Sequence, residues 1–85
     1  MGEANSIALD VLSPESTLCH EEVASVELPG TLGRFVVLKD HAPLISSLEK
    51  GEIVCESSDG RKTRFAILSG FVEVLDNHVI ACVEI

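Results

Sequence analysis

The sequence predicts an all-β fold, a two-sheet antiparallel β-sandwich or flattened barrel. Three observations point there. Apolar and polar residues alternate with a period of two in several short runs, the pattern of a strand with one buried face. Turn residues punctuate the chain at short intervals, at Ser13-Pro14, Pro29-Gly30, Asp59-Gly60 and Asp76-Asn77. With three Phe and no Trp or Tyr, the core must rest on Val, Ile and Leu, and β-branched side chains suit a pleated surface.

Residues 1–5 are a polar lead, expected to be flexible. Residues 6–12 alternate, with Ile7, Leu9 and Val11 on one face and Ala8, Asp10 and Leu12 on the other. Pro14 then turns the chain by presetting φ. Residues 17–20 are a short extended piece, and 22–28 alternate again, with Val23, Ser25 and Glu27 opposite Ala24, Val26 and Leu28. The Pro29-Gly30 step, with Gly33 three residues on, predicts a tight reversal, because glycine reaches positive φ without steric cost. An apolar run of strand length follows at 35–38, until Lys39-Asp40-His41 breaks it. Pro43 pushes the residue before it out of the α region. The segment therefore presents polar tips at 31–34 and 39–41. Over 42–50, Pro43 near the start and Gly51 past the end predict one or two helical turns.

The second half reads as strands throughout. They run over 52–56, 61–68, 71–75 and 78–85. Asp59-Gly60 supplies the positive φ of a tight hairpin. Ser69-Gly70 marks a break or bulge, and Asp76-Asn77 a further tip. Strands joined by such turns pair mostly antiparallel, with aliphatic faces packed sheet on sheet.

A chain of 85 residues is one domain, 1–85. Fourteen acidic against six basic residues leave a net charge of −8. That sign repels phosphate backbones and anionic lipid, which argues against nucleic-acid binding through a basic face and against electrostatic membrane docking. The one dense basic cluster, Arg61-Lys62-Thr63-Arg64, reads as a solvated strand edge whose charges discourage edge pairing. Cys19, Cys55 and Cys82 are odd in number and lack metal-ligand spacing, so buried free thiols in a reducing compartment are expected. No secretory apolar core and no run of about 18 apolar residues is present.

Candidate chemistry is sparse. Cys19 and His20 are neighbours, and neighbours on a strand point to opposite faces, so they cannot grip one ion together. His41 sits at a loop tip, where it either caps a turn or contacts a partner. No Ser, Cys or carboxylate is placed by sequence to make it catalytic. The glycines are dispersed at turns and form no phosphate loop. The residues alone define an acidic, all-β interaction module with no visible active site.

Four blocks carry a resemblance. Pro29-Gly30, Gly33, Phe35, Val37-Leu38 and His41-Ala42-Pro43-Leu44 strongly resemble the N-terminal β-sandwich of the epsilon subunit of F-type ATP synthase. Residues 9–15 resemble that family's opening strand and turn, 65–74 its central signature, and Asp76-Asn77-His78-Val79 its last hairpin. Val36 stands where the family usually has Gly, Ser69 or Leu68 where a second Gly often falls, and Arg34 at a position often acidic. The family commonly continues into a C-terminal helical hairpin, and this sequence ends at Ile85. On that resemblance the chain is expected to be a short form that neither binds ATP nor inserts an inhibitory helix.

The resemblance implies a non-catalytic rotor subunit of the central stalk. It would link the gamma subunit to the membrane c-ring and couple proton translocation to ATP synthesis. It would sit peripherally, on the cytoplasmic side of a bacterial inner membrane. Thr31, Leu32, Gly33 and Arg34 would face the c-ring, and Ser13, His41, Ala42, Pro43 and Leu44 would face gamma. No cofactor, metal or small-molecule substrate is implied. The alternative from a different class is a stand-alone β-sandwich interaction module without enzymatic activity. A carbohydrate-binding version would need exposed aromatics for stacking, and a small Cys/His enzyme would need a reactive thiol.

Overall fold

The computed structural model describes residues 6–85, and the expected flexible lead lies outside the described residues. Nine strands follow one another: β1 Ile7–Leu12, β2 Thr17–Val23, β3 Ser25–Gly30, β4 Gly33–Val37, β5 Leu44–Leu48, β6 Gly51–Glu56, β7 Lys62–Ile67, β8 Ser69–Leu75 and β9 His78–Glu84. They form one hydrogen-bonded sheet in the order β2-β1-β9-β8-β5-β3-β6-β7, with β4 also on β3. The sheet folds over at β3 and β5, which share the single register pair Gly30–Leu48. Two layers result, β2-β1-β9-β8-β5 against β4-β3-β6-β7, as the period-two pattern predicts.

Alternation decides what lies between the layers. Ile7, Leu9 and Val11 of β1 are buried, as are Val79, Ala81 and Val83 of β9, Val72 and Val74 of β8, and Val26 and Leu28 of β3. Among the described residues no polar or charged side chain is buried. The core is aliphatic, with Phe35 and Phe65 packed at its margin. One pairing departs from the antiparallel pattern. β1 and β9 run parallel, from Ala8–His78 to Leu12–Cys82.

Four expectations need correction. Residues 22–28 are not one alternating strand; the chain breaks at Ala24 between β2 and β3, which puts Val23 in the core together with Val26 and Leu28. Residues 42–50 are not helical; the segment is strand β5, paired from Leu44–Val74 to Leu48–Gly70 on β8. Its side chains alternate between half-buried and exposed up to buried Leu48, and a helix would turn part of that apolar set to water. Pro29-Gly30 is not the turn. Strand β3 continues through both residues, and Pro29 pairs with Arg34 and Gly30 with Gly33. Pro29 sits where β3 changes partner, from β6 at Glu27–Val54 to β5 at Gly30–Leu48, so its missing N–H interrupts no long ladder. Its carbonyl still accepts from Glu49 N at 2.9 Å. Finally, Cys19 and Cys55 are buried but Cys82 is only half-buried, because it faces out of β9 beside Phe71.

Candidate partner-docking site

The β3–β4 hairpin closes on the Gly30–Gly33 pair, which leaves Thr31 and Leu32 as a two-residue tip. Gly33 takes φ +131°, a conformation few other residues adopt. A Cβ on Gly30 would stand 2.7 Å from the Gly33 carbonyl and 2.9 Å from the Phe35 ring. Thr31 N donates to Ser47 O at 3.1 Å, which pins the tip to β5. Leu32 is fully exposed, at 102%. Arg34 Nε donates to Glu27 Oε2 at 2.9 Å, and its Nη2 to the Glu52 carbonyl at 2.8 Å. This guanidinium therefore ties β3, β4 and β6 at the base of the tip.

The loop between β4 and β5 is shaped by backbone and by one distant residue. His41 N donates to Leu38 O at 3.2 Å, closing a turn through Lys39 and Asp40. Asp40 takes φ +68°. Its amide donates to Asn77 Oδ1 at 2.5 Å, and Asn77 Nδ2 donates to Asp40 Oδ1 at 3.2 Å. His41 Nδ1 donates to the Ala42 carbonyl at 2.8 Å. Ala42 and Pro43 are exposed, Leu44 is half-buried and Ile45 is 75% exposed.

The structure brings two of the expected residue groups together. Leu32, Gly33 and Arg34 line one bank of a shallow groove whose other bank holds His41, Leu44 and Ser46. Ala42 and Pro43 continue the loop bank toward Asn77. Ser13 is not among them. It caps its own turn, with Ser13 N donating to Ser16 O at 2.8 Å and Ser16 N donating to Ser13 Oγ at 3.2 Å. It borders a different, larger groove of about 540 Å³ formed with Leu12, Gly70, Phe71 and Cys82. The two grooves share no lining residue.

Sequence reasoning missed Phe71 and Asn77. Phe71 faces outward, 53% exposed, a position that strand alternation with buried Val72 and Val74 predicts. Asn77 reads from sequence only as a hairpin residue; nothing local marks the long-range bonds of its side chain. A third cluster was also missed. Asp10 on β1 accepts a hydrogen bond from His20 Nδ1 on β2 at one oxygen, and from His78 Nε2 on β9 at the other, the latter at 2.6 Å. Asp10 and His20 are register partners. The hydrogen bonds from His20 and then His78 hold the Asp10 carboxyl below its ordinary range, and the bond to Asp10 raises His20.

The buried thiols Cys19 and Cys55 are not poised for nucleophilic work. Burial pushes Cys19 up to about 12 and raises Cys55 as well, opposite to what a reactive cysteine needs. Among the described residues no group of His, Cys, Asp and Glu is arranged to hold a metal ion. Among its features the surface offers shape: a pinned hairpin tip, a pinned loop and shallow apolar-lined grooves on an aliphatic core. These features define a β-sandwich domain with exposed, well-anchored loops.

The comparisons with known proteins agree with that class. The family model described as the β-sandwich domain of the ATP synthase delta/epsilon chain matches residues 6–85. The chain belongs to the β-sandwich family of ATP synthase delta/epsilon chains. It is 43% identical over 76 residues to the ATP synthase epsilon chain of Desulfitobacterium hafniense, covering 89% of this chain and 57% of that one. It is 40% identical over 75 residues to that of Sulfurovum, covering 88% and 58%. With the Chlorobaculum tepidum epsilon chain it shares 38% identity over 79 residues, covering 93% of this chain and 90% of the relative. The chain thus spans somewhat more than half the length of the first two relatives and nearly all of the third. Among solved structures, a chain of the Euglena gracilis mitochondrial ATP synthase superposes with a TM-score of 0.88 at 24% identity, over 98% of this chain and 53% of that one. A chain from the central stalk and c-ring structure of the Tetrahymena thermophila enzyme gives 0.75 at 14% identity, over 92% and 63%. These two likenesses are likenesses of fold.

Proposed function

We propose that this chain is the β-sandwich of a non-catalytic central-stalk subunit of F-type ATP synthase. In this role it links gamma to the c-ring, turns with them, and so couples proton translocation to ATP synthesis. The subunit sits peripherally on the cytoplasmic side of a bacterial inner membrane. The observation that carries the reading is family membership across residues 6–85. The physical design suits the task. A close-packed aliphatic sandwich resists deformation, so a torque applied at one end reaches the other with little lost in bending.

The Thr31-Leu32 tip, with Gly33 and Arg34 behind it, faces the c-ring in this proposal. His41, Ala42, Pro43 and Leu44 face gamma, and Ser13 meets gamma through the second groove. Ring-facing and gamma-facing residues border one groove, which makes that groove the line where the two partners come closest.

The test is a pull-down from the source organism's detergent-solubilised membranes, followed by titration of purified gamma–c-ring complex. Leu32→Ser and His41→Ala are the informative variants. Leu32 is fully exposed and supports nothing within the sandwich, so its loss reports docking alone. Recovery of gamma and c by the wild type, with about tenfold weaker binding by each variant (about 1.4 kcal/mol), is the expected outcome. Failure of the wild type to recover gamma or c overturns the proposal and favours the stand-alone interaction module.

A further inference from the structure

The segment 40–44 is held from outside by a residue 37 positions away. Asn77 makes three bonds to two other parts of the chain. Its side-chain oxygen accepts from Asp40 N at 2.5 Å and its side-chain nitrogen donates to Asp40 Oδ1 at 3.2 Å. Its carbonyl accepts from Ala8 N at 2.9 Å, at the start of β1. The backbone is shaped to allow this. Asp76 and Asn77 take φ +51° and +62°, and Asp40 takes φ +68°. These are the described non-glycine residues with left-handed backbone, and all three meet at this one junction. Such conformations persist where the surroundings over-determine them, and Asn and Asp are the side chains that tolerate them best.

We propose that Asn77 is a positioning residue for partner docking: by clasping Asp40 from the β8–β9 tip it fixes the loop that presents His41, Ala42, Pro43 and Leu44. The inference rests on the proposal that this loop meets gamma. It adds a residue that does not itself belong to the presented segment. The physical reason for a clasp is entropic. A loop from Leu38 to Pro43, left free, pays for its ordering when the partner binds. The Asn77 bonds order it beforehand, within the free protein.

Asn77→Gly tests this cleanly. Glycine keeps the left-handed backbone and the carbonyl bond to Ala8, and it removes both side-chain bonds. Amide exchange at Asp40 is expected to speed up at least tenfold. Affinity for purified gamma–c-ring complex is expected to fall about tenfold, while the thermal midpoint moves by only a few degrees. Asp40→Asn keeps a side-chain oxygen for Asn77 Nδ2 and is expected to bind as the wild type does. Unchanged exchange at Asp40 in Asn77→Gly overturns the clasp. Faster exchange with unchanged affinity overturns the positioning role and leaves the docking proposal standing. Equal losses in Asn77→Gly and Asp40→Asn would assign the effect to the Asp40 charge and overturn the geometry. A wild type that does not bind overturns the docking proposal itself, whatever the exchange data show.

Discussion

At the scale of single residues, Asp10 shows how a strand register creates an electrostatic unit. Alternation places Asp10 on the outer face of β1, opposite His20 on β2, with His78 on β9 reaching its second oxygen. Also on that outer face lie Glu22 beside Ala8 on β2 and Glu73 of β8 beyond Ile80. Neither is bonded to the histidines, so Asp10 is their principal partner. The signs follow from the shifts. The raised His20 favours the folded state fully below the ordinary 6.5, and that contribution fades as pH climbs through the raised value. The lowered Asp10 contributes above its ordinary 3.8 and fades as pH falls through the lowered value. The cluster therefore stabilises most between those limits. Proton NMR titration is expected to place His20 above 6.5 in the wild type and near 6.5 in Asp10→Asn, and the difference in thermal midpoint between the two proteins is expected to narrow from pH 6 to pH 9. A His20 that titrates alike in both proteins would remove the cluster from the account of stability.

Element by element, the strands were legible wherever one face is buried. β1, β6, β8 and β9 follow their alternation, and the Asp59-Gly60 and Asp76-Asn77 tips fall where turn chemistry puts them. Reading failed where local signals compete with a neighbour in space. Pro43 and Gly51 look like the ends of a helix, yet β8 offers Leu44 to Leu48 a full ladder, and the ladder wins. Pro29-Gly30 looks like a turn, yet both residues are buried at the fold-over of the sheet, and the reversal is moved on to Thr31-Leu32. The candidate loops were found because polar tips show in sequence; the Asn77 clasp and the Asp10 cluster were not, since they join residues far apart in the chain. Gly70 tests how tight the β8–β9 ladder is. A Cβ there would lie 2.4 Å from the Cys82 carbonyl and 3.0 Å from Val83 Cα. Both are backbone atoms that cannot swing aside, so Gly70→Ala is expected to cost about 2–4 kcal/mol, measured by urea unfolding. A loss below about 0.5 kcal/mol would mean that the strands part there at little cost.

At the scale of the whole molecule, the structure measures 33 × 24 × 19 Å, and its sheet depends on a strand far along the sequence. β9 lies between β1 and β8, and without it both lose a neighbour. Truncation after Leu75 also removes Val79, Ala81 and Val83 from the core. Such a chain is expected to show no cooperative urea transition by circular dichroism, whereas the full chain unfolds in one step; a cooperative transition in the truncated chain would place the folding core in β1–β8 alone. Long-range pairing of this kind also implies folding in milliseconds to seconds.

The parallel pairing of β1 with β9 has a practical side. Both strands start at the Asn77 end and finish at the Ser13 end, so the start of β1 and the end of β9 lie at opposite poles. A handle attached directly at the start of β1 would sit near the Asp40–Asn77 junction, since Ala8 N donates to Asn77 O. One fused behind Ile85 hangs beside Ser13 and Glu84. The choice of handle is thus a steric experiment in its own right: each shields one pole and leaves the other bare to whatever the protein is asked to capture.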